Sequence, residues 1–313
     1  MKDKIRFFLN CIGMLLLLGL FCFGVVMPQY TGNYQAAMID KVNALKNTEG
    51  ARIVLIGNSN LAYGVNSEML EKTLGKPVIN MGLHGGTGNC FNEQAALLHV
   101  HPGDLYVICE TNYDDNDRIK NPELVWVTIE DHFQLYPLIR AKDWPDMLEA
   151  YPTYLGKCIT MWRQGTGNGE LNNSYRRSAF NRYGDNYYPR KDPEPEIDFG
   201  PVRINNISEP AEKRLNNLYR TLREKGADMV IAAYPIPLCE NVPSPEEYSA
   251  FAKDLSDKLD AEVISDFNNY RYDPEYFYDT YAHLTDTGVY VRTNQLIADL
   301  SAYLAAGDAS DEK

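Results

Sequence analysis

The fold is signalled most clearly by Ile53-Val54-Leu55-Ile56-Gly57-Asn58-Ser59, near the start of the polar part of the chain. Four consecutive large aliphatic residues followed by Gly-Asn-Ser are typical of a buried strand that runs into a tight turn. A strand buried on both faces belongs to a parallel sheet that is covered by helices. The turn after this strand presents the hydroxyl of Ser59. The segment therefore predicts an α/β fold class and a first candidate for a nucleophile.

The rest of the chain alternates between helical and strand patterns. Strands are predicted at 52–56, 77–80, 104–109, 229–234 and 262–265, and helices from about 67 and at 89–100, 209–225, 245–259 and 285–304. Alternation at this spacing implies right-handed crossovers and a central parallel sheet of about five strands. Residues 119–205 interrupt the alternation and contain all three tryptophans and many tyrosines. We interpret this region as an insertion or lid rather than a second domain.

The composition excludes some classes of partner. The 313 residues carry a formal net charge of −13, which argues against nucleic acid or a general anionic surface as a partner. The six cysteines are scattered without a Cys-x-x-Cys pair, so we predict no metal and no cofactor and leave disulfide pairing open. Residues 113–117 are acidic, but they lack the glycine and spaced acid of an EF-hand loop. We interpret them as a solvated loop.

The N-terminal segment has the composition of a membrane anchor. Residues 7–27 are apolar apart from Asn10, and roughly 21 helical residues match the ~30 Å of a bilayer core. Lys2, Lys4 and Arg6 precede them, which predicts a cytoplasmic N-terminus and an extracytoplasmic domain. A cleaved signal peptide is the alternative, but the run is long and lacks a clear cleavage site. We expect a tail and single-pass anchor in the cell membrane over 1–28, a stalk helix over 29–50 and a domain over 51–313.

A second motif lies near the other end of the chain. Asp279-Thr280-Tyr281-Ala282-His283 places a carboxylate and an imidazole four residues apart, just before the last predicted helix. Serine, histidine and aspartate are the residue types of nucleophilic acyl transfer. The order Ser, Asp, His, and the absence of a glycine two residues after Ser59, differ from the nucleophile elbow of α/β-hydrolases.

Four segments, in order along the chain, resemble the sequence blocks of the SGNH (GDSL-like) hydrolase family. They are Gly57-Asn58-Ser59, Asn80-Met81-Gly82-Leu83-His84-Gly85-Gly86-Thr87, Glu110-Thr111-Asn112-Tyr113-Asp114 and Asp279-Thr280-Tyr281-Ala282-His283. The resemblance covers about 52–115 and 225–305. It implies a flavodoxin-like three-layer α/β/α fold and serine-based ester chemistry that needs no cofactor.

The resemblance also implies roles for individual residues. Ser59 would be the nucleophile, His283 the general base, and Asp279 the group that orients the imidazole. The oxyanion hole would consist of the backbone N–H groups of Ser59 and Gly85 and the side chain of Asn112. Gly82 and Gly86 are alternatives to Gly85, and Asn112 has the alternative of an ordinary Asx turn.

Further candidates for substrate binding lie close to these blocks or in the insertion. His84 belongs to a glycine-rich loop, where it either contacts substrate or caps the loop. Arg176, Arg177 and Tyr183 belong to a stretch in which arginines alternate with aromatic residues. Such a stretch stacks on sugar rings and pairs with anionic groups. The alternative is a lid segment whose aromatic rings pack on the sheet.

The resemblance and the anchor together lead to a functional expectation. Anchored relatives act in surface-polysaccharide acetylation and teichoic-acid D-alanylation, which implies an esterase or O-acyltransferase for acyl groups, with acetyl favoured, on a cell-envelope glycan. The partners would be an acylated glycan or lipid, the membrane and a membrane acyltransferase. A lysophospholipase or lipid esterase is one alternative. A non-catalytic glycan-binding or assembly protein is another, because Asn58 stands where the family usually has Asp and the Asp279–His283 spacing is four rather than three.

Overall fold

A computed structural model describes residues 2–311 apart from 131, 172, 196, 198, 200, 201 and 241. The helices are α1 (Lys2–Phe21), α2 (Ala37–Asn47), α3 (Ser59–Ala62), α4 (Ser67–Leu74), α5 (Asn89–Gln94), α6 (Pro122–Ile129), α7 (Trp144–Gln164), α8 (Glu209–Glu224), α9 (Pro245–Lys258) and α10 (Asp286–Asp311). The strands are β1 (Ile53–Gly57), β2 (Val78–Asn80), β3 (Leu105–Cys109), β4 (Asp228–Ile231), β5 (Ile236–Pro237), β6 (Glu262–Val263) and β7 (Arg271–Tyr272).

Five of these strands form a parallel sheet in the order β2-β1-β3-β4-β6, which confirms the predicted α/β class and strand number. Every residue of β1 and β3 is buried, because aliphatic side chains pack on both faces of the sheet. The chain passes from β1 to β2 on one side and then to β3 on the other. Loops that leave β1 and β3 therefore diverge at a switch point, where α/β sheets open a crevice for ligands. β5 and β7 form a separate short parallel pair.

The segment predicted as a stalk is packed into the core. In α2 the side chains of Met38, Val42 and Leu45 are buried, and they join the hydrophobic core of the domain. Lys41 lies on the same helix and is also buried, with its ammonium group donating hydrogen bonds to the backbone oxygens of Asn80 and Gly184. Burial lowers the pKa of Lys41 to about 7, although the nearby carboxylates of Asp185 and Asp40 oppose this shift. Residues 37–47 are therefore part of the domain and not a spacer.

The insertion contains two helices that the sequence patterns did not predict. α6 and α7 pack against each other, and the indole of Trp126 on α6 stacks on Tyr154 of α7 with 6.0 Å between ring centroids. The Trp126 indole N–H also donates a hydrogen bond of 2.7 Å to the backbone oxygen of Met147. Trp126 thus joins these two helices.

The N-terminal helix stands apart from this core. α1 and the π-helical turn that follows it, Cys22–Val26, form a continuous helix that is long and apolar enough to cross a membrane. Most of its large apolar side chains are exposed to solvent in the described structure. A helix that is apolar on all sides and unburied has the character of a membrane span.

Candidate active site

A cavity of about 980 Å³, here called the carboxyl-end cavity, lies beyond the carboxyl ends of β1 and β3. Most of its walls come from four loops, which are 58–59 after β1, 84–89 after β2, 111–120 after β3 and 280–283 before α10. Tyr34, Tyr175 in the insertion, and Ser208 and Pro210 at the start of α8 complete the walls. The cavity therefore brings together parts of all four sequence blocks, which lie far apart along the chain.

Ser59 lies at the first turn after β1. Gly57 precedes it at a point where a Cβ atom would be 2.3 Å from the backbone oxygen of Cys109, so only glycine lets β1 leave the sheet beside β3. Asn58 then caps α3: its side-chain oxygen accepts hydrogen bonds from the backbone and the side-chain amide of Asn60. Ser59 itself is half-buried and lines the cavity. Among the described residues its hydroxyl makes no hydrogen bond, to His283 or to any other group.

Asp279 and His283 form a hydrogen-bonded pair at the opposite wall. The distance between the Asp279 Oδ1 and His283 Nδ1 atoms is 2.7 Å. Thr280 shapes the intervening turn, because its hydroxyl accepts hydrogen bonds from the backbone N–H groups of Ala282 and His283. Since a carboxylate only accepts, we assign the proton to Nδ1, which leaves Nε2 as the basic nitrogen of the imidazole.

Two tyrosines hold this pair in place. The Tyr175 hydroxyl donates a hydrogen bond of 2.6 Å to the Asp279 Oδ2 atom and lies 3.4 Å from His283 Nδ1. The Tyr63 ring stacks on the imidazole with 4.1 Å between centroids and an angle of 16°. Burial alone would raise the pKa of the Asp279 carboxyl, but the hydrogen bonds from His283 and Tyr175 and the charge of His283 hold it below its ordinary value. Asp279 is therefore ionised over the neutral pH range.

Three groups were predicted to form an oxyanion hole, and two of them have free donors. Within the described part of the chain, the backbone N–H groups of Ser59 and Gly85 donate no hydrogen bond. The Asn112 side chain lines the cavity but forms an Asx turn instead, because its oxygen accepts from the Asp114 N–H at 3.1 Å and its amide donates to the Asp114 oxygen at 3.3 Å. The Asn112 amide would have to leave this turn before it could stabilise an oxyanion.

Asn58 is a donor that the sequence prediction did not include. Its amide group donates one hydrogen bond of 2.8 Å to the Thr111 hydroxyl. The Asn58 amide nitrogen lies 3.6 Å from the position that a Cβ atom on Gly85 would occupy. Because the Asn60 N–H requires the Asn58 oxygen as its acceptor, the orientation of this amide is determined, and among the described residues its second hydrogen makes no hydrogen bond.

His84 caps its own loop and also lines the cavity. Its Nδ1 atom accepts a hydrogen bond of 2.7 Å from the Gly86 N–H at the start of a short 3₁₀ turn. Burial lowers the pKa of His84, and repulsion from His283, when protonated, and from Lys120 lowers it further. A neutral imidazole with Nδ1 as acceptor carries its proton on Nε2, which is then available as a donor.

Three predicted binding residues lie outside the described walls of the cavity. Arg177 forms a bidentate pair with Asp40, with both N–O distances at 2.6 Å. The Tyr183 hydroxyl donates to Glu71 at 3.2 Å, and the Arg176 guanidinium lies over the Tyr188 ring at 5.6 Å. These contacts agree with the lid-packing alternative for this segment.

The acidic loop 113–117 is tied to basic side chains. Asp115 pairs with Arg214 at 2.6 Å, and Asp117 pairs with Arg140. Among the described residues, no three His, Cys, Asp or Glu side chains converge on a point that could hold a metal ion. Beneath the loop, Glu110 is completely buried, and burial followed by the charge of Glu93 raises its pKa well above the ordinary value, which favours the neutral acid.

The site thus combines groups that can perform acyl transfer. A hydroxyl, an imidazole with a free Nε2 and several unoccupied N–H donors face one cavity, and an ionised carboxylate orients the imidazole. Sequence reasoning missed Tyr175, Tyr63 and the Asn58 amide. The aromatic content of 174–185 marked the right segment, but an irregular segment has no periodicity that indicates which side chain faces the cavity.

Comparison with known proteins adds no relative. No family model matches the chain, and no curated protein or solved structure matches it significantly.

Proposed function

We propose that this chain is a membrane-tethered, SGNH-like serine esterase or O-acyltransferase that acts on acyl esters, with acetyl favoured, of a cell-envelope glycan. One observation carries the proposal: Ser59 and His283 line the same cavity, and Asp279 binds the Nδ1 side of the imidazole and leaves Nε2 free. The strand order β2-β1-β3-β4-β6 also supports the finer proposal of flavodoxin-like layering.

The proposed reaction begins when His283 Nε2 removes the Ser59 proton as the Oγ atom attacks the ester carbon. Rotation about the Ser59 Cα–Cβ bond brings the hydroxyl towards Nε2 when substrate binds, since apo sites often have loose catalytic hydrogen bonds. Asp279 stabilises the imidazolium that forms. The N–H groups of Ser59 and Gly85, with the Asn58 amide, bind the tetrahedral oxyanion, and each such donor contributes about 100- to 1000-fold in rate.

Collapse of this intermediate breaks the bond to the sugar oxygen, which takes the proton from His283 and leaves an acyl-Ser59 enzyme. Water or a second sugar hydroxyl then gives its proton to His283 and attacks the acyl carbon. The second tetrahedral intermediate releases the acyl group to that acceptor and returns the proton to Ser59. Hydrolysis and transfer differ only in the acceptor, so the same residues serve both reactions.

The walls of the cavity favour a polar substrate over a long acyl chain. Ile119 is the only large aliphatic residue among the described lining residues, whereas asparagines, histidines and charged residues are numerous. Tyr34, Tyr175 and Tyr281 contribute aromatic rings, and Tyr281 is 40% exposed. Aromatic rings with neighbouring amides suit sugar rings, so we rank a glycan ester above the lysophospholipase alternative. A membrane acyltransferase would supply acyl groups to a transferase that is anchored beside it.

The proposal is tested with the full chain in detergent and a fluorophosphonate probe, which phosphonylates activated serines with loss of fluoride. We expect labelling and turnover of p-nitrophenyl acetate by the wild type, and loss of both in Ser59→Ala and His283→Ala. Ser208→Ala is the matched control, because Ser208 lines the same cavity but donates its hydroxyl hydrogen to the Asp115 backbone oxygen. Labelling that persists in Ser59→Ala would remove Ser59 from the mechanism.

A non-catalytic glycan-binding protein is the second candidate function. It is favoured by the absence of a Ser59–His283 hydrogen bond among the described contacts and by the Asn112 amide, which binds its own loop. If the wild type is not labelled but binds acetylated glycan as tightly as Ser59→Ala does, this second candidate replaces the enzyme.

A further inference from the structure

The α7 helix and the segment before it carry an apolar surface that is not covered by the rest of the described chain. On α7, Leu148, Tyr151, Leu155, Ile159 and Trp162 follow one another at intervals of three or four residues, which places them on one face of the helix. Leu148 is 62% exposed and Trp162 is 44% exposed. Phe133 lies beside this row and is 63% exposed. We call this surface, defined by Phe133, Leu148, Tyr151, Ile159 and Trp162, the α7 face.

The α7 face is continuous with the N-terminal helix. Phe21, the last residue of α1, contacts Trp162 edge-on with 5.5 Å between ring centroids. Phe23, in the next turn, stacks on Tyr151 at 6.0 Å and lies 6.2 Å from Phe133. The row of exposed apolar side chains therefore begins where the apolar helix ends.

No spacer separates the apolar helix from the domain. At about 1.5 Å per residue, the 20 largely apolar helical residues from Phe7 to Val26 extend roughly 30 Å, which equals the hydrocarbon thickness of a bilayer. Val26, at the end of this stretch, and Met27 are both completely buried in the domain core. Two residues on, the Gln29 N–H donates a hydrogen bond of 3.0 Å to the buried carboxylate of Glu130. The domain surface around the helix end must therefore lie close to the lipid headgroups.

We propose that the α7 face lies in the headgroup layer of the bilayer that α1 spans. Tryptophan, tyrosine and phenylalanine are the residues that favour this layer, because their rings are apolar and the tips of Trp and Tyr are polar. The face thus presses the domain against the membrane at two places, the helix end and α7. The proposal rests on α1 spanning the bilayer, as in the proposed function, but not on the Ser59 chemistry.

The consequence is a fixed distance between the membrane and the carboxyl-end cavity. A domain on a flexible tether would sample substrates over a range of heights, whereas a domain that is bound at two places holds its cavity at one height. Substrate ester groups would then have to be presented near the membrane surface. This deepens the proposed function by restricting the glycan to one that is attached to, or assembled at, the membrane.

The test uses the full chain reconstituted into phosphatidylcholine vesicles in which the acyl chains carry bromine near the headgroup. Bromine quenches tryptophan emission at short range. We expect quenching in the wild type that Trp162→Phe reduces and that Trp126→Phe retains. Trp126 is the matched control because it is 3% exposed and stacks on Tyr154 between α6 and α7.

A second pair of variants tests the whole face rather than its contact with Phe21. In the Trp162→Phe background, Phe133→Trp should restore quenching, whereas Tyr290→Trp should not. Tyr290 is 58% exposed, but it lies on α10, which packs mainly against α4. Equal quenching of the two new tryptophans, or none at Phe133→Trp, would overturn the proposal. If the chain self-associates in the vesicles and the Phe133→Trp tryptophan is not quenched, a second copy of the chain covers the α7 face instead of lipid.

Two controls separate this proposal from the proposed function. Release of the chain from the vesicles by alkaline carbonate would refute the span by α1 and, with it, the contact of the α7 face. Fluorophosphonate labelling of the same vesicles reports on Ser59 independently. Quenching without labelling would support the membrane contact and refute the proposed enzyme. Labelling without quenching would support the enzyme and refute the membrane contact.

Discussion

Replacing Tyr175 by phenylalanine removes one oxygen atom that binds the Asp279–His283 pair. The hydroxyl donates to the ionised Asp279 carboxylate over 2.6 Å, a short distance that is typical of charge-assisted O–H···O⁻ hydrogen bonds. The ring itself remains and fills the same space. The substitution therefore tests the hydrogen bond alone.

The expected magnitude follows from this hydrogen bond. Hydrogen bonds to charged groups contribute roughly 1.5–3 kcal/mol, and about 1.4 kcal/mol corresponds to a factor of ten in rate. The imidazolium is stabilised by Asp279 in the transition state. If most of the hydrogen-bond free energy stabilises this state, its loss lowers kcat/KM by about 10- to 100-fold. We expect the loss mainly in kcat, since the removed hydroxyl acts through Asp279, whereas the ring that lines the cavity is retained.

The variant should also change the dependence of stability on pH. The Tyr175 hydrogen bond is one of the interactions that hold the pKa of Asp279 below its ordinary value of 3.8. A lowered folded-state pKa contributes stability above the ordinary value, and this stability is lost as the pH falls through the folded-state pKa, so Tyr175→Phe should lose less stability than the wild type on acidification below about pH 4. A tyrosine that only packed against the site would change neither kcat nor this dependence.

The assays are p-nitrophenyl acetate turnover at neutral pH and chemical unfolding of each variant from about pH 3 upward. Tyr183→Phe is the matched control, because Tyr183 also donates its hydroxyl to a carboxylate, Glu71, but lies outside the described cavity walls. The reasoning is refuted if Tyr175→Phe has the same kcat and the same loss of stability in acid as the wild type and Tyr183→Phe.

Further predictions concern groups that support the site from beneath, and all are measured on the full chain in detergent. The pKa of Lys41 is about 7 in the folded state and 10.5 ordinarily, so the unfolded chain binds one more proton than the folded chain between these values. The free energy of unfolding of the wild type should therefore rise by about 1 kcal/mol per pH unit, relative to that of Lys41→Met, between pH 7 and 9 in chemical unfolding. A flat difference would contradict the lowered pKa of Lys41. Burial raises the pKa of Glu110 above its ordinary value of 4.5, so the folded chain holds a proton that the unfolded chain loses. In the same unfolding experiment, the wild type should lose stability relative to Glu110→Gln as the pH rises above 4.5. Arg214→Met should destabilise the fold by about 3–5 kcal/mol, because it leaves the carboxylates it pairs with uncompensated, and an unchanged unfolding midpoint would refute this. Gly82→Ala should lower the free energy of unfolding by about 1–3 kcal/mol, since its Cβ would lie 2.5 Å from Leu61 Cβ. In Gly85→Ala the new Cβ meets no atom nearer than 3.5 Å, so this variant should unfold like the wild type.

Several features could be predicted because they depend on neighbours in the sequence. The aliphatic run of β1 determines a strand that is buried on both faces, and the spacing of strand and helix patterns determines a parallel sheet. The turn at Ser59 and the Asp279–His283 pair are also local, since each lies within five residues. Loops after parallel strands share one edge of the sheet, so the meeting of the first three blocks, which follow β1, β2 and β3, at one cavity follows from topology.

Other features depend on the path of irregular segments in three dimensions. Tyr175 reaches Asp279 across 104 positions in the chain, and Arg177 binds Asp40 across 137. Residues 174–185 have neither helical nor strand periodicity, so their sequence could not show that Tyr175, and not the adjacent arginines, faces the cavity. The same is true of α2, whose amphipathic pattern is equally compatible with a stalk and with a core helix. A pattern specifies which face of a segment is apolar, but the partner of that face is decided only when the whole chain packs.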